Sequence, residues 1–120
     1  MKQEQIDALR HQPIPNQGLL IEGQWGPAVS GQTLTVLSPI DGQQLCTLAA
    51  AGQADVDAAV QSARRSFDTG VWSRMAPAER KKVLHRIADR IEAHHAELAV
   101  LGVRDNGTEI AMAWKAEPGS

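Results

Sequence analysis

The spacing of apolar residues changes near Asp55, and this change constrains the fold of the 120-residue chain more than any other feature. Before Asp55, apolar residues occur in short runs separated by glycine and proline, a pattern typical of brief β-strands. After it, they recur about every 3.6 residues, which predicts amphipathic helices. A chain with strands first and helices afterwards belongs to the α+β class.

The first half predicts a short antiparallel β-ribbon. Residues 19–25 form one candidate strand, interrupted by Gly23, and residues 33–38 form a second that is rich in Thr, Leu and Val. The sequence Pro39-Ile40-Asp41-Gly42 then predicts a turn, after which residues 43–49 return as a third strand. The apolar face of this ribbon is small, so we expect it to be an appendage of something larger.

The second half predicts three to four helices, in addition to a short helical arm over residues 2–11. The clearest helix begins at Asp55 and stops at Gly70, and another opens with a proline at its first position, Pro77. A break is expected at residues 93–96, a further helix up to about Arg104, and a last piece over residues 109–115. The apolar face of the clearest helix consists of Val56, Ala59, Val60, Ala63 and Phe67.

Composition limits the classes of function. The formal net charge is only −2, and the basic and acidic residues are interspersed, which argues against nucleic acid or a membrane as partner. The apolar runs are far shorter than the ~20 residues that span a bilayer, and the first residues lack the apolar centre of a signal peptide. We therefore expect a cytoplasmic protein.

No group of residues carries catalytic chemistry of its own. Cys46, the single cysteine, lies in a strand-like run without a neighbouring basic residue, so a structural role is expected. His94 and His95 are adjacent, which points their side chains about 100° apart on a helix and prevents a shared metal ion. Asp55 and Asp57 are placed on an exposed helix face, where carboxylates are solvated. We predict no catalytic and no cofactor-binding residue in this chain.

The three tryptophans are interpreted as packing residues. Trp25 and Trp72 each follow a glycine by two residues and are expected to pin turns onto the core, and Trp114 lies in the last helix.

Six sequence blocks follow one another along the chain in a characteristic order and spacing. They are Leu20-Ile21-Glu22-Gly23-Gln24-Trp25, Ser30-Gly31-Gln32-Thr33, Ser38-Pro39-Ile40-Asp41-Gly42, Ala54-Asp55-Val56-Asp57-Ala58-Ala59-Val60, Pro77-Ala78-Glu79-Arg80 and Asp105-Asn106-Gly107. This ordered set resembles the amino-terminal part of the aldehyde dehydrogenase superfamily, from about residue 19 to the end. Three positions depart from the family pattern: Glu22 replaces Asn, Ala76 replaces a Ser or Thr cap, and Thr108 replaces Lys.

The resemblance implies a larger α/β enzyme, of which residues 1–17 are a helical arm and residues 18–120 an incomplete part of the cofactor-binding domain. In that family a cysteine thiolate attacks the aldehyde, NAD(P)+ accepts hydride, and a glutamate activates water to release the carboxylic acid. Full-length members use NAD or NADP, act on small aldehydes and form homo-oligomers. The reacting residues would lie beyond residue 120, and Cys46 is outside the nucleophile's motif, so the segment alone is expected to be inactive and to bind no NAD(P).

Two further implications follow from the resemblance. Some members hold K+ or Na+ with backbone carbonyls and one carboxylate, which map here to Val36, Leu37 and Asp105. An alternative to the incomplete enzyme is a non-catalytic oligomerisation or regulatory module derived from the same family. The sequence leaves open whether this chain is part of an active enzyme.

Overall fold

The computed structural model describes residues 2–115 and confirms the α+β class. It contains five helices and four strands within that range. In chain order they are α1 (Gln3–Arg10), β1 (Leu19–Ile21), β2 (Gln24–Gly26), β3 (Thr33–Leu37), β4 (Gln44–Ala49), α2 (Gln53–Thr69), α3 (Pro77–Ala93), α4 (His95–Asn106) and α5 (Ile110–Lys115).

The chain divides into two compact units, each built from discontinuous stretches. One, here called the hairpin unit, contains Pro15–Val36 and Cys46–His85. The other, here called the terminal unit, contains the residues up to Ile14, Leu37–Leu45 and the residues from Arg86 onward.

The hairpin unit begins with a tight β-hairpin inside the stretch that the sequence predicted as one strand. β1 and β2 pair antiparallel, with Leu20 opposite Trp25. The two residues between them, Glu22 and Gly23, have φ angles of 54° and 74°. Two successive positive φ angles are typical of the two-residue turns whose twist matches that of paired strands. The expectation of a single strand over residues 19–25 was therefore wrong, and the predicted ribbon is divided into two separate two-stranded sheets.

The second sheet is formed by β3 and β4. Gln17 adds an isolated parallel bridge to β4 at Leu48, where its amide donates to the Thr47 carbonyl over 2.9 Å and its carbonyl accepts from the Ala49 amide over 2.8 Å. Cys46 lies buried in β4, as the sequence predicted for a structural cysteine.

Specific residues cap helix α2 of the hairpin unit at its start and at its end. Gly70 closes it in a left-handed conformation with φ of 81°, which a residue with a side chain rarely adopts. At the other end Asp55 is 5% exposed. The expectation that Asp55 lies on an exposed face was wrong, because its carboxylate turns back over the start of the helix to accept backbone N–H groups.

The terminal unit is built around α4. The predicted break between the two long helices is confirmed at His94, which lies between α3 and α4 with φ −108° and ψ 16°. α4 carries two buried apolar residues, Ala99 and Val100, and packs against α1 and α5. Small apolar side chains at the centre of a helix let neighbouring helices approach closely, so this packing forms the core of the unit.

Many large apolar side chains stay exposed. Trp25 and Trp72 are 65% and 41% exposed, so the expectation that they pin turns onto the core was wrong. The apolar faces predicted from the sequence are formed, but much of their area remains uncovered.

Candidate functional site

The end of α4 meets the turn after β3 within the terminal unit. Gly107 ends α4 in a left-handed conformation, and its amide donates to the Val103 carbonyl over 2.9 Å. The side chain of Asn106 accepts from the Thr108 amide over 2.8 Å, which stabilises the exit from the helix. A Cβ atom added to Gly107 would lie 3.4 Å from Cγ of Pro39, so the gap between the two turns at this point is about the width of a methyl group.

The turn after β3 is held by its own polar groups. Ser38 is buried, its amide donates to the Gln43 carbonyl over 2.8 Å, and its hydroxyl accepts from the Ile40 amide over 3.2 Å. The Gln43 amide donates to Oδ1 of Asp41 over 3.1 Å. This bond, followed by a hydrogen bond from the Ser38 side chain, holds the pKa of Asp41 below its ordinary value of 3.8. The turn thus presents an ionised carboxylate to solvent.

A cavity of about 550 Å³ lies between these turns and helices α1 and α4 of the terminal unit. Its apolar wall includes Ile6, Val100 and Val103, and two arginines, Arg10 and Arg104, contribute to its polar lining. Nη1 of Arg104 donates to the Gln12 carbonyl over 2.6 Å, which fixes the segment that follows α1. This cavity could not be predicted from the sequence, because its lining brings together residues about a hundred positions apart.

The three residues mapped to a cation site fall on these elements as follows. Leu37 is the last residue of β3 and Asp105 lies in the last turn of α4, and both are exposed members of the terminal unit. Val36 precedes Leu37 in β3, is partly buried and belongs to the hairpin unit. Gly107, two residues after Asp105, lies near Pro39, two residues after Leu37, within the terminal unit.

The carboxylate of Asp55, which the sequence predicted to be exposed, is buried and links two segments of the hairpin unit. Oδ1 of Asp55 accepts from the Val29 amide and Oδ2 accepts from the Gly52 amide, each over 2.9 Å. Asp55 is the third residue of α2, a position from which an acidic side chain commonly reaches back to the residue that caps the helix. That spacing was the available signal for this role.

The remaining candidate side chains make local contacts. His94 pairs with Glu97, with Nδ1 3.0 Å from Oε2, and the ring of His95 lies edge-on to that of Trp114 with centroids 4.0 Å apart. Within residues 2–115, no three His, Cys, Asp or Glu side chains are grouped so that they could hold a metal ion. None of the helices described in that range is long and apolar enough to cross a membrane.

Comparisons with known proteins identify relatives of this segment. The chain is 43% identical over 102 residues to phenylacetaldehyde dehydrogenase of Pseudomonas fluorescens, covering 85% of this chain and 20% of that protein. It is 38% identical over 106 residues to cytosolic 10-formyltetrahydrofolate dehydrogenase of Xenopus tropicalis, covering 88% of this chain and 12% of that protein. The chain therefore spans a fifth or less of the length of these curated relatives.

A solved structure shares the same fold over nearly the whole chain. The crystal structure of indole-3-acetaldehyde dehydrogenase complexed with NAD+ superposes with a TM-score of 0.85 and 37% identity, covering 93% of this chain and 22% of that one. The sequence pattern described as "Aldehyde dehydrogenase family" matches residues 25–119. These residues make up most of the chain, and the chain therefore belongs to the aldehyde dehydrogenase family.

Proposed function

We propose that this chain is the amino-terminal segment of an NAD(P)-dependent aldehyde dehydrogenase that oxidises a small aldehyde to a carboxylic acid. The observation that carries the proposal is the family match over residues 25–119, supported by the superposition on an enzyme whose structure contains NAD+. In such an enzyme NAD(P)+ accepts the hydride that leaves the substrate. We expect the segment to contribute structure to this reaction and to be inactive alone, because the cysteine and glutamate regions that carry catalysis in the family do not match any part of residues 1–120.

The test replaces the matching segment of a complete relative by this chain. A continuous polypeptide is made from residues 1–120 followed by the remainder of the Pseudomonas fluorescens phenylacetaldehyde dehydrogenase. We expect this polypeptide to reduce NAD+ when phenylacetaldehyde is added, and the 120-residue chain alone to be inactive. A folded continuous polypeptide without activity would contradict the proposal.

We also propose that the complete enzyme is a cytoplasmic homo-oligomer. The homo-oligomer follows from the family resemblance, and a relative named as cytosolic supports the location. A sedimentation measurement on the continuous polypeptide tests the first statement, and microscopy of a fluorescently tagged version tests the second.

A cation site at Val36, Leu37 and Asp105 is a further part of the proposal. Two backbone carbonyls and one carboxylate offer hard oxygen donors, which suit K+ or Na+ better than a soft metal. The short distance between Gly107 and Pro39 supports it, because these residues lie two positions after Asp105 and Leu37, respectively. Asp105 is exposed, so its carboxylate is available to an ion.

Thermal unfolding of the continuous polypeptide in increasing K+ tests this site. We expect K+ to raise the midpoint of the wild-type sequence and of an Asp57→Ala control, which removes an exposed carboxylate from α2. The Asp105→Ala variant should lose the response. An equal response in Asp105→Ala would exclude the site.

A further inference from the structure

The cavity of the terminal unit combines apolar walls with charged groups. All of its lining belongs to that unit, and its volume of about 550 Å³ lies in the range of ~300–1,000 Å³ that is typical of small-molecule sites. Val100, Val103 and Ile110 supply apolar surface, and Val100 is buried. A bound molecule therefore gains free energy if it has an apolar body that displaces water from these side chains.

Arg104 is the least exposed of the four charged residues in the lining. It is partly buried, whereas Arg10, Asp41 and Glu109 are exposed. Nη1 of Arg104 donates to the Gln12 carbonyl, and no carboxylate of the residues that the structure describes forms an ion pair with this guanidinium. The edge formed by Nε and Nη2 is thus left for an acceptor. Two parallel N–H groups on one edge of a guanidinium match the two oxygens of a carboxylate.

The acidic residues of the lining do not cancel the charge of Arg104. Oδ1 of Asp41 is held within its own turn, where it accepts from the Gln43 amide over 3.1 Å. Asp41 and Glu109 are exposed, so water and salt screen their charges, whereas a partly buried cation is screened less. The complementary ligand therefore carries a negative charge.

We propose that the cavity of the terminal unit binds a small monocarboxylate with an apolar body. Its carboxylate pairs with Arg104, and its body lies against Val100 and Val103. Free fatty acids and aryl carboxylates share this chemistry. The site does not depend on the proposed function, because all of its residues belong to this chain.

Titrations of the isotope-labelled chain, followed by NMR, test the chemistry of the ligand. Phenylacetate and octanoate distinguish an aryl carboxylate from a fatty acid. Acetate keeps the negative charge but lacks the apolar body, and phenethylamine keeps the aryl body but carries a positive charge. We expect at least one of the two larger carboxylates to shift the backbone amide signals of Val100, Val103 and Arg104, with a dissociation constant on the order of 1 mM or below. Acetate and phenethylamine should bind at least about tenfold more weakly.

Three variants that each remove one positive charge test the role of the arginines. Arg104→Met should weaken carboxylate binding at least about tenfold, because the paired edge is lost. Arg10→Met should weaken it about two- to threefold through the loss of a screened charge. Arg90→Met is the matched control and should bind like the wild type, since Arg90 is exposed in the same unit and does not line the cavity.

The fold of each variant is checked by circular dichroism. Arg104→Met also loses the bond to the Gln12 carbonyl, which can release the segment after α1. Arg10→Met avoids this difficulty, because its only ion pair among the described residues is an exposed one with Asp7 at 3.7 Å. The comparison of Arg10→Met with Arg90→Met therefore decides the matter if Arg104→Met unfolds.

The same comparison is made by calorimetry in the continuous polypeptide. Any second site for carboxylates there is common to all variants, so the difference between Arg10→Met and Arg90→Met reports on the cavity alone. We expect Arg10→Met to bind the carboxylate more weakly in this polypeptide as well.

Three results would overturn the proposed site. The first is that neither phenylacetate nor octanoate shifts the signals of the cavity residues. The second is that phenethylamine binds as tightly as phenylacetate, which would show that the charge of Arg104 plays no part. The third is that folded Arg10→Met and Arg104→Met bind the carboxylate as tightly as Arg90→Met. Loss of NAD+ reduction by the continuous polypeptide would instead remove the proposed function and leave this site unaffected.

Discussion

Replacing Asp55 by alanine should destabilise the hairpin unit more than any other single removal of a carboxylate from it. Asp55 is 5% exposed and accepts two backbone hydrogen bonds, from Val29 and from Gly52. The first bond ties the loop after β2 to α2, and the second closes the start of the helix. Alanine would remove both bonds together with the favourable position of a negative charge near the helix amino terminus.

The expected loss follows from these two bonds. Removing a side chain that caps a helix costs typically ~1 kcal/mol. A hydrogen bond to a charged group is worth about 1.5–3 kcal/mol, and the lower end applies to Val29 because water replaces the lost acceptor at an exposed residue. Asp55→Ala should therefore lower the free energy of unfolding by about 2–3 kcal/mol. Asp55→Asn should lie between alanine and the wild type, because its amide oxygen replaces only one of the two acceptors.

Urea denaturation followed by far-ultraviolet circular dichroism measures these differences, provided that the slope with urea stays constant. Asp57→Ala is the matched control, since Asp57 is exposed on the same helix and should change stability by less than about 0.5 kcal/mol. The reasoning would be refuted if Asp55→Ala were as stable as Asp57→Ala, or if asparagine fully restored the wild-type value.

Three smaller effects follow from other backbone positions. Glu22→Asn should raise the free energy of unfolding, measured by urea denaturation, by about 0.5 kcal/mol. Asparagine tolerates a positive φ and removes ~1 kcal/mol of backbone strain, which exceeds the stability lost with the exposed ion pair to Arg65. Gly70→Ala should destabilise it by about 1 kcal/mol or more in the same assay, since alanine resists a φ of 81°. The pKa of Asp41 should lie below 3.8 in the folded chain and return to the ordinary value in urea, as measured by carbon NMR titration. The folded-state pKa is the lower one, so the stability that Asp41 contributes is present above pH 3.8 and is lost as the pH falls through the folded-state pKa.

The helices could be predicted from the sequence because their signals are local. The period of apolar residues predicted α2, and Gly70 and Pro77 marked a stop and a start that the structure confirms. The break near His94 was predicted from a weakening of the same period. Each of these signals lies within one or two turns of the residues it describes, so a single sequence is sufficient to read it.

The β1–β2 hairpin was missed because its turn carries an atypical residue. Asparagine followed by glycine is the common signal for a two-residue turn, and Glu22 stands at the asparagine position. Glutamate is disfavoured at the φ of 54° that it adopts there. Its ion pair with Arg65 of α2 provides a tertiary contact that the local pattern does not contain.

Burial was the least predictable property, and the reason is physical. An apolar period establishes which side of a helix avoids water, but the residues that cover this side can come from anywhere in the chain or from another chain. Trp25, Val60 and Phe67 are apolar by sequence and exposed in the structure. Asp55 is charged by sequence and buried, because two backbone amides replace its water. Buried Asp55 therefore marks a point where the segment is stabilised by its own hydrogen bonds. Exposed apolar residues such as Trp25 mark surface that this segment does not cover by itself.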